Sequence, residues 1–382
     1  MATDLEGGDT VAANIASQAT DDAKQRAGAL NLMRNCLSVE AGDSVLIIGE
    51  EGQSAYFDMA VCDIVADAAR EIGARPRIMI APQIDGPNNI PAGIAEAMGN
   101  SDHTLFFARF GDRVRFLQLP GKGTKTMCYT RDAGYLGAEF GRVPYGLYVD
   151  VLDRLMARIS VATGCRIRCP LGTDLTAELA LSNGENGGED TVAADFTVRL
   201  FPVMIFPPLS CAHMSGRLAL GRWLVSTAVN AYEESLFTIA GDVFAILDRG
   251  RITGFEGAAS EVARIEAHFH MVASLVGGDP FAINSWHTGI YPKTYYPGEA
   301  TDDVEHWADI VYGSPRYTHF HACGGDPGDI CLSLFDATIW FDDEVLWDAG
   351  RFAFLEREDM QALKAGYGGA QEAYDMRWDI GI

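Results

Sequence analysis

The alternation of apolar and polar residues predicts two regions of different architecture. Residues 26–162 contain apolar stretches of strand length, such as SVLIIG and HTLFFARF, separated by segments with apolar residues at helical spacing, such as AYFDMAVCDIVADAAREIGA. Strands that alternate with helices in this way form parallel sheets with helices on their faces. We therefore predict an α/β domain over residues 26–162, preceded by a flexible segment over residues 1–25.

From residue 163 onward the pattern changes to short strands separated by turns. FAILDRGRITGFEG is typical of two strands joined by a tight turn, ATIWFDDEVLWDAGRF of a closing hairpin, and TVAADFTVRLF of a further strand in this region. One long helix, SEVARIEAHFHMVASLVGG, lies among them. We therefore predict an α+β domain of mixed and antiparallel strands over residues 163–382.

Composition and charge narrow the classes of partner. A hydrophobic content of 48% with 21% charged residues is ordinary for a folded globular protein. The net charge of −24 argues against nucleic-acid binding, which requires clustered Lys and Arg. The chain has no apolar stretch of the ~20 residues that span a bilayer, and its acidic start lacks the features of a signal peptide. We expect a cytoplasmic protein that binds neither nucleic acid nor membrane.

The histidines are concentrated in one part of the sequence. Six of the eight lie between His268 and His321. His268 and His270 are two residues apart on the predicted helix, so their side chains point in different directions and cannot bind one ion. His306 lies beside acidic residues on a short helical segment, which favours a surface position. These three histidines are therefore given no functional role.

The other histidines of this region suggest a metal site. His319 and His321 alternate with Phe320 in THFHACGG, so on a strand they share one face. His287 precedes a glycine turn in NSWHTG, and Asp336 follows the apolar run CLSLF, where a charge needs a partner or a metal. Two imidazoles and one carboxylate form the facial triad of mononuclear non-haem Fe(II) sites. The residues alone leave open whether His319 or His321 is the ligand.

Several segments resemble the aminopeptidase T (M29-type) metallopeptidase family, and more narrowly its branch of 2,5-dihydroxypyridine 5,6-dioxygenases. The resemblance covers most of the chain and implies an α/β domain followed by an α+β domain, together with a homo-oligomer. In chain order the segments that carry it are RNCLSVEAGDSVLIIGE, LGTDLTAEL, FAILDRGRITGFEG, GIYP, HFHACGG and LFDATIWFDDEVLWDAGRF.

The sequence departs from the family pattern at positions where the family has its metal ligands. Peptidase members bind two metals through paired Glu and His residues, and one of these Glu residues lies in a GGE-like segment. The matching segment in this sequence is FPPLSCAHMSG, which contains no carboxylate. His287 stands where the peptidases have Glu, and Leu334 stands in place of the His of the family's H-x-D strand. The comparison implies a mononuclear iron site in which a histidine of THFHACGG replaces that missing His.

We therefore predict a mononuclear Fe(II) dioxygenase that uses O₂ to cleave a small hydroxylated (N-hetero)aromatic substrate. His287, His321 and Asp336 are the predicted metal ligands. His319 and His213 are the candidates for the acid–base residue that deprotonates a substrate hydroxyl.

An aromatic wall and two alternative functions complete the predictions. Trp286, Tyr291 and Phe320 are expected to line the substrate site. The first alternative is an amidase-like or aminopeptidase-like hydrolase that uses Zn, Mn or Co. The second is a binding protein that keeps the fold without a metal.

Overall fold

The protein is described by a computed structural model that covers residues 6–53, 55–82, 90–115, 117–179, 198–202, 205–227, 232–324 and 328–382, and the side chains from residue 18 onward. Contacts between Cα atoms divide the chain into two compact units. The first unit holds the described residues up to Gly146 together with 198–202, and the second holds those from Leu147 onward apart from that segment. The boundary between the two units falls between residues 146 and 147.

A parallel sheet of five strands forms the centre of the first unit, with the order β2-β1-β3-β4-β7. Strand β1, which lies between β2 and β3, is apolar from Val45 to Ile48, and these residues are buried, as expected where helices cover both faces of a sheet. The strands are β1 (Ser44–Gly49), β2 (Arg75–Ile80), β3 (His103–Phe107), β4 (Thr124–Cys128) and β7 (Val198–Phe201).

Six α-helices lie in the described part of this unit, and the longest begins within the segment predicted to be flexible. Helix α2 begins after Asp58, whose carboxylate accepts a hydrogen bond from the Ala60 N–H, and ends at Gly73 with a left-handed φ of 92°. The helices are α1 (Glu6–Leu30), α2 (Met59–Ile72), α3 (Ala92–Gly99), α4 (Arg109–Val114), α5 (Ala133–Gly137) and α6 (Glu139–Arg142).

Strand β7 corrects one prediction. The segment TVAADFTVRLF was placed in the second domain, but β7, at its end, pairs in parallel with β4 of the first unit. Residues 191–197 of that segment lie outside the described residues. Hydrophobic alternation identifies a strand but carries no information about its partner, so the return of the chain to the first sheet was not predictable.

The second unit contains two antiparallel sheets. One has seven strands in the order β13-β12-β9-β6-β5-β17-β18, and the other has six in the order β11-β10-β16-β15-β14-β8. The strands are β5 (Gly164–Arg168), β6 (Asp174–Glu178), β8 (Leu209–Ser210), β9 (Met214–Ala219), β10 (Trp223–Ser226), β11 (Leu236–Thr238), β12 (Phe244–Asp248), β13 (Arg251–Glu256), β14 (Ile283–Thr288), β15 (Tyr317–Ala322), β16 (Ile330–Phe335), β17 (Thr338–Phe341) and β18 (Glu344–Trp347).

The predicted fold class is confirmed, with a parallel sheet and helices first and antiparallel sheets afterwards. The predicted hairpin in FAILDRGRITGFEG is the pair β12 and β13. Its turn residues Arg249 and Gly250 have φ values of 47° and 73°, the left-handed conformation that two-residue hairpin turns require.

Four α-helices lie in the described part of the second unit: α7 (Tyr145–Ser160), α8 (Ala259–Val276), α9 (Val304–Val311) and α10 (Glu358–Ala365). Among the helices in the described ranges, none combines the length and apolarity needed to cross a bilayer.

The six-stranded sheet is covered on both faces. On one face, the ring of Trp286 stacks 6.3 Å from that of Phe341 in the seven-stranded sheet. On the other face, Trp307 of α9 packs edge-on against Tyr317, with 5.5 Å between ring centroids. All six residues of β15 and all six of β16 are buried in consequence.

Candidate metal centre

Strand pairing brings three histidines together on the six-stranded sheet. Strands β14 and β15 run antiparallel, with His287 opposite His319 and Ser285 opposite His321. Alternation along a strand places all three imidazoles on the same face, and cross-strand neighbours at direct or diagonal positions are within reach of long side chains. We call this the histidine face. The prediction that His319 and His321 lie on one strand and share a face is confirmed.

The geometry of the three imidazoles fits one metal ion. One ring nitrogen from each of His287, His319 and His321 lies within 4.8 Å of the others, and the Nε2 atoms of His287 and His321 are 2.9 Å apart. A metal–nitrogen bond of about 2.1 Å places two ligands at right angles about 3 Å apart. Imidazole nitrogens suit iron, zinc, copper and nickel. The histidines are only 5–8% exposed, so the group is shielded from bulk water.

A backbone carbonyl fixes the protonation of His287. Its Nδ1 lies 3.0 Å from the carbonyl oxygen of Phe206. A carbonyl only accepts hydrogen bonds, so Nδ1 carries the hydrogen and Nε2 carries the lone pair. That lone pair points toward His321, which is the orientation that a metal ligand needs.

A side-chain hydroxyl contacts His321 on its other nitrogen. Thr227 Oγ1 lies 3.0 Å from His321 Nδ1. Thr227 is 94 residues away in the sequence and follows strand β10 in an ordinary apolar run, so sequence reasoning missed it and offered no signal for it.

His319 belongs to the same group of nitrogens. Its ring centroid lies 4.2 Å from that of His287 and 4.9 Å from that of His321. Tyr317 stacks on it at 5.4 Å, and the Tyr317 hydroxyl forms a 2.9 Å hydrogen bond with Ser333 Oγ. Burial raises the pKa of Tyr317 well above its usual range, so the phenol stays neutral. The structure thus places His319 as a third possible ligand, beside its predicted acid–base role.

Asp336 lies elsewhere, which corrects the predicted triad. Its two carboxylate oxygens accept hydrogen bonds from Arg316, Nε to Oδ1 at 2.7 Å and Nη2 to Oδ2 at 2.8 Å. Ser333 is the residue of β16 opposite His319, so Asp336 follows three residues farther along and beyond the end of the strand. At about 3.3 Å per residue, Asp336 is about 10 Å along the chain from Ser333, the position opposite His319. Arg316 therefore balances the negative charge of Asp336. Within the described ranges, no carboxylate joins the histidine group.

The predicted aromatic wall belongs to the core, which corrects another prediction. Trp286 and Phe320 alternate with the histidines, so they lie opposite each other on the other face of the strands, with 6.2 Å between ring centroids. Tyr291 is 1% exposed and packs against Tyr148 at 4.7 Å. We call the face that carries Trp286 and Phe320 the aromatic face. Residues on it cannot contact a substrate held by the histidines.

The remaining histidines lie outside the group. His213, predicted as an acid–base candidate, is exposed in the turn between β8 and β9. His268 is buried on α8 beside the ring of Phe237 at 4.9 Å, and desolvation lowers its pKa to about 4. His270 lies on the exposed side of the same helix. None of these positions brings a ring to the histidine face.

Comparison with known proteins places the fold. No family model matches the sequence, and no curated protein matches it. The 2,5-dihydroxypyridine dioxygenase of Pseudomonas putida KT2440 is similar in structure, with a TM-score of 0.56 and 13% identity over 88% of this chain and 98% of that one. AmpT from Thermus thermophilus gives a TM-score of 0.47 and 12% identity over 86% and 98%. The fold implied by the resemblance is confirmed.

Proposed function

We propose that this protein is a mononuclear metal enzyme in which His287, His319 and His321 hold one ion. The reaction we propose is Fe(II)-dependent cleavage of a small hydroxylated (N-hetero)aromatic ring with O₂. The observation that carries the proposal is the convergence of three buried imidazole nitrogens on adjacent strands. The shared fold with a 2,5-dihydroxypyridine dioxygenase supports the choice of reaction.

The donor set suits such an ion. Three protein ligands leave further coordination positions open, as oxygenase sites with a facial arrangement of ligands do. Fe(II), when bound, would supply the one-electron chemistry that reaction with O₂ requires.

Charge indicates the kind of substrate. All three proposed ligands are neutral imidazoles, and no carboxylate in the described ranges joins them. A divalent cation held this way keeps its full charge in a buried setting, where Coulomb attraction is stronger than in water. The site therefore favours an anionic ligand, and a hydroxylated pyridine or phenol that loses its hydroxyl proton meets that requirement.

Metal analysis and oxygen uptake test the proposal together. We expect anaerobically purified protein to contain about one iron per chain and to consume O₂ with 2,5-dihydroxypyridine or a related hydroxylated aromatic. His287→Ala should lose both properties, whereas His270→Ala, the same change at an exposed histidine, should keep both. Protein without metal, or a His287→Ala variant with unchanged iron and O₂ uptake, contradicts the proposal.

The neutral ligand set also favours a second candidate, a zinc hydrolase. Three imidazoles are a known donor set of catalytic zinc, which lowers the pKa of bound water. Protein reconstituted with Zn²⁺ alone should then hydrolyse amide or ester substrates, and protein reconstituted with Fe²⁺ alone should consume no O₂ with any hydroxylated aromatic. The opposite pair of results favours the dioxygenase.

A further inference from the structure

We infer that Thr227 is a positioning residue that holds His321 in the tautomer required for metal binding. The inference rests on the proposed metal site and adds a residue that contacts neither the ion nor the substrate.

Backbone contacts hold Thr227 in place beside His321. The Thr227 N–H donates to the carbonyl oxygen of Asp329 at 3.1 Å. Strand β10, which ends just before Thr227, pairs Val225 with Cys331, and Cys331 in turn pairs with His321. Two adjacent strand ladders therefore bring the Thr227 hydroxyl to 3.0 Å from His321 Nδ1.

Without an ion, the hydrogen bonds around His321 run in one direction. His287 carries its hydrogen on Nδ1, bonded to the Phe206 carbonyl, so its Nε2 can only accept. The 2.9 Å contact between the two Nε2 atoms therefore has His321 as the donor. His321 Nδ1 is then an acceptor, and the Thr227 hydroxyl donates to it.

Binding of an ion reverses the last of these bonds. Both Nε2 atoms must offer lone pairs to the ion, so His321 has to carry its hydrogen on Nδ1. That N–H then donates to Thr227 Oγ1, which turns from donor to acceptor. The hydrogen bond to the non-ligating nitrogen orients the ring and raises its basicity as a ligand.

A hydroxyl can serve both arrangements, whereas a carbonyl can serve only one. The Phe206 carbonyl keeps His287 permanently in the ligating tautomer, since a carbonyl cannot donate. Thr227 allows His321 to pair with His287 when the site is empty and to bind metal when an ion arrives. The two ligands of one ion are thus held by contacts of different kinds.

The inference is tested by metal affinity in the full-length protein. After removal of metal by chelation, binding of Zn²⁺ alone and of Co²⁺ alone is measured for unsubstituted protein, Thr227→Val and Thr227→Ser. Loss of a hydrogen bond to a ligating histidine typically costs about 10- to 100-fold in affinity, which we expect for Thr227→Val. Thr227→Ser keeps the hydroxyl and should bind nearly as tightly as the unsubstituted protein.

A matched control separates this role from general packing. Thr288→Val removes a fully buried hydroxyl from the same sheet, but on the aromatic face, where Thr288 Oγ1 donates to the Tyr317 carbonyl. Its metal affinity should be unchanged. If Thr227→Val does not fold, Thr227→Ala, which also lacks the hydroxyl and is smaller, takes its place.

A spectroscopic signal reports the tautomer itself. In ¹⁵N-histidine-labelled, Zn²⁺-loaded protein we expect a protected N–H resonance from His321 Nδ1, assigned by its absence in His321→Gln. Thr227→Val should lose this protection and Thr288→Val should keep it. Equal affinity and an unchanged resonance in Thr227→Val overturn the role of Thr227 alone. Failure of the unsubstituted protein to bind either ion overturns the proposed metal site and this role together.

Discussion

The two faces of strands β14 and β15 differ completely in chemistry although they are equally buried. Trp286 and Phe320 on the aromatic face pack against each other, and Trp286 also stacks on Phe341 of the seven-stranded sheet. The histidine face carries three imidazoles at the alternate positions. Burying polar groups costs free energy unless they are bonded. We therefore propose that the buried histidines serve metal binding, while the aromatic face supplies stability that offsets the cost of burying them.

Removing a histidine should have the largest effect of any change to these strands. We expect His287→Ala, His319→Ala and His321→Ala each to reduce bound metal from about one ion per chain to near zero, because two remaining imidazoles hold a divalent ion far more weakly than three. The fold should persist, since these side chains contribute little apolar packing. Metal analysis together with thermal unfolding of the metal-free proteins measures both effects.

These variants also test whether His319 is a ligand at all. If His319→Ala keeps its iron but loses activity, His319 serves as the acid–base residue instead, and the ion has two protein ligands. Iron loss in all three variants supports a three-histidine site.

Truncation on the aromatic face should give the reverse result. Trp286 is 1% exposed and contacts Phe206, Phe320 and Phe341. Trp286→Ala leaves a large cavity, so we expect the free energy of unfolding in urea to fall by about 3–5 kcal/mol. Protein that remains folded at low temperature should still bind one metal ion per chain. Metal loss from folded Trp286→Ala would show that the two faces are not independent.

Local pattern predicted much of this arrangement. Alternation in THFHACGG placed His319 and His321 on one face, and the same rule applied to NSWHTG puts Trp286 and His287 on opposite faces. The predicted aromatic wall was wrong because residue type alone suggested that Trp286 and Phe320 line the site. Each of them is one position away from a histidine along its strand, so it lies on the opposite face. The position along the strand decides which face a side chain occupies, and residue type decides only what that face can do.

Other errors came from contacts that are distant in the sequence. The partner of Asp336 is Arg316, 20 residues earlier, and the partner of His321 is Thr227, 94 residues earlier. Neither pairing has a local signature, because each depends on which strands are neighbours in the sheet. The order β11-β10-β16-β15-β14-β8 mixes strands from across the second unit, and hydrophobic pattern does not encode that order.

His268 offers a comparison with a histidine that is equally buried but lies outside the histidine group. Burial beside Phe237 lowers its pKa to about 4, from about 6.5 in an unfolded chain. Since the unfolded state takes up the proton more readily, the stability that neutral His268 provides is present above pH 6.5 and is lost as the pH falls toward 4. Between pH 7.5 and 5, we expect the free energy of unfolding measured in urea to fall by about 2 kcal/mol less in His268→Phe than in the unsubstituted protein.

The exposed neighbour on the same helix provides the control for this titration. His270→Gln should leave the pH dependence of unfolding as it is in the unsubstituted protein, because His270 lies on the exposed side of α8. An equal change in both variants would mean that the pH dependence does not come from burial of His268.

Asp336 should show the smallest effect, and it distinguishes the three-histidine site from a triad with a carboxylate. Asp336→Asn removes the charge that pairs with Arg316, a partly buried contact, so we expect a loss of about 1 kcal/mol in the free energy of unfolding. Asn tolerates the left-handed φ of 51° at this position, so the backbone adds no penalty. Asp348→Asn, in a more exposed pair with Arg351, is the matched control and should change stability less. Iron content should be unchanged in both variants, and iron loss in Asp336→Asn alone would return a carboxylate to the ligand set.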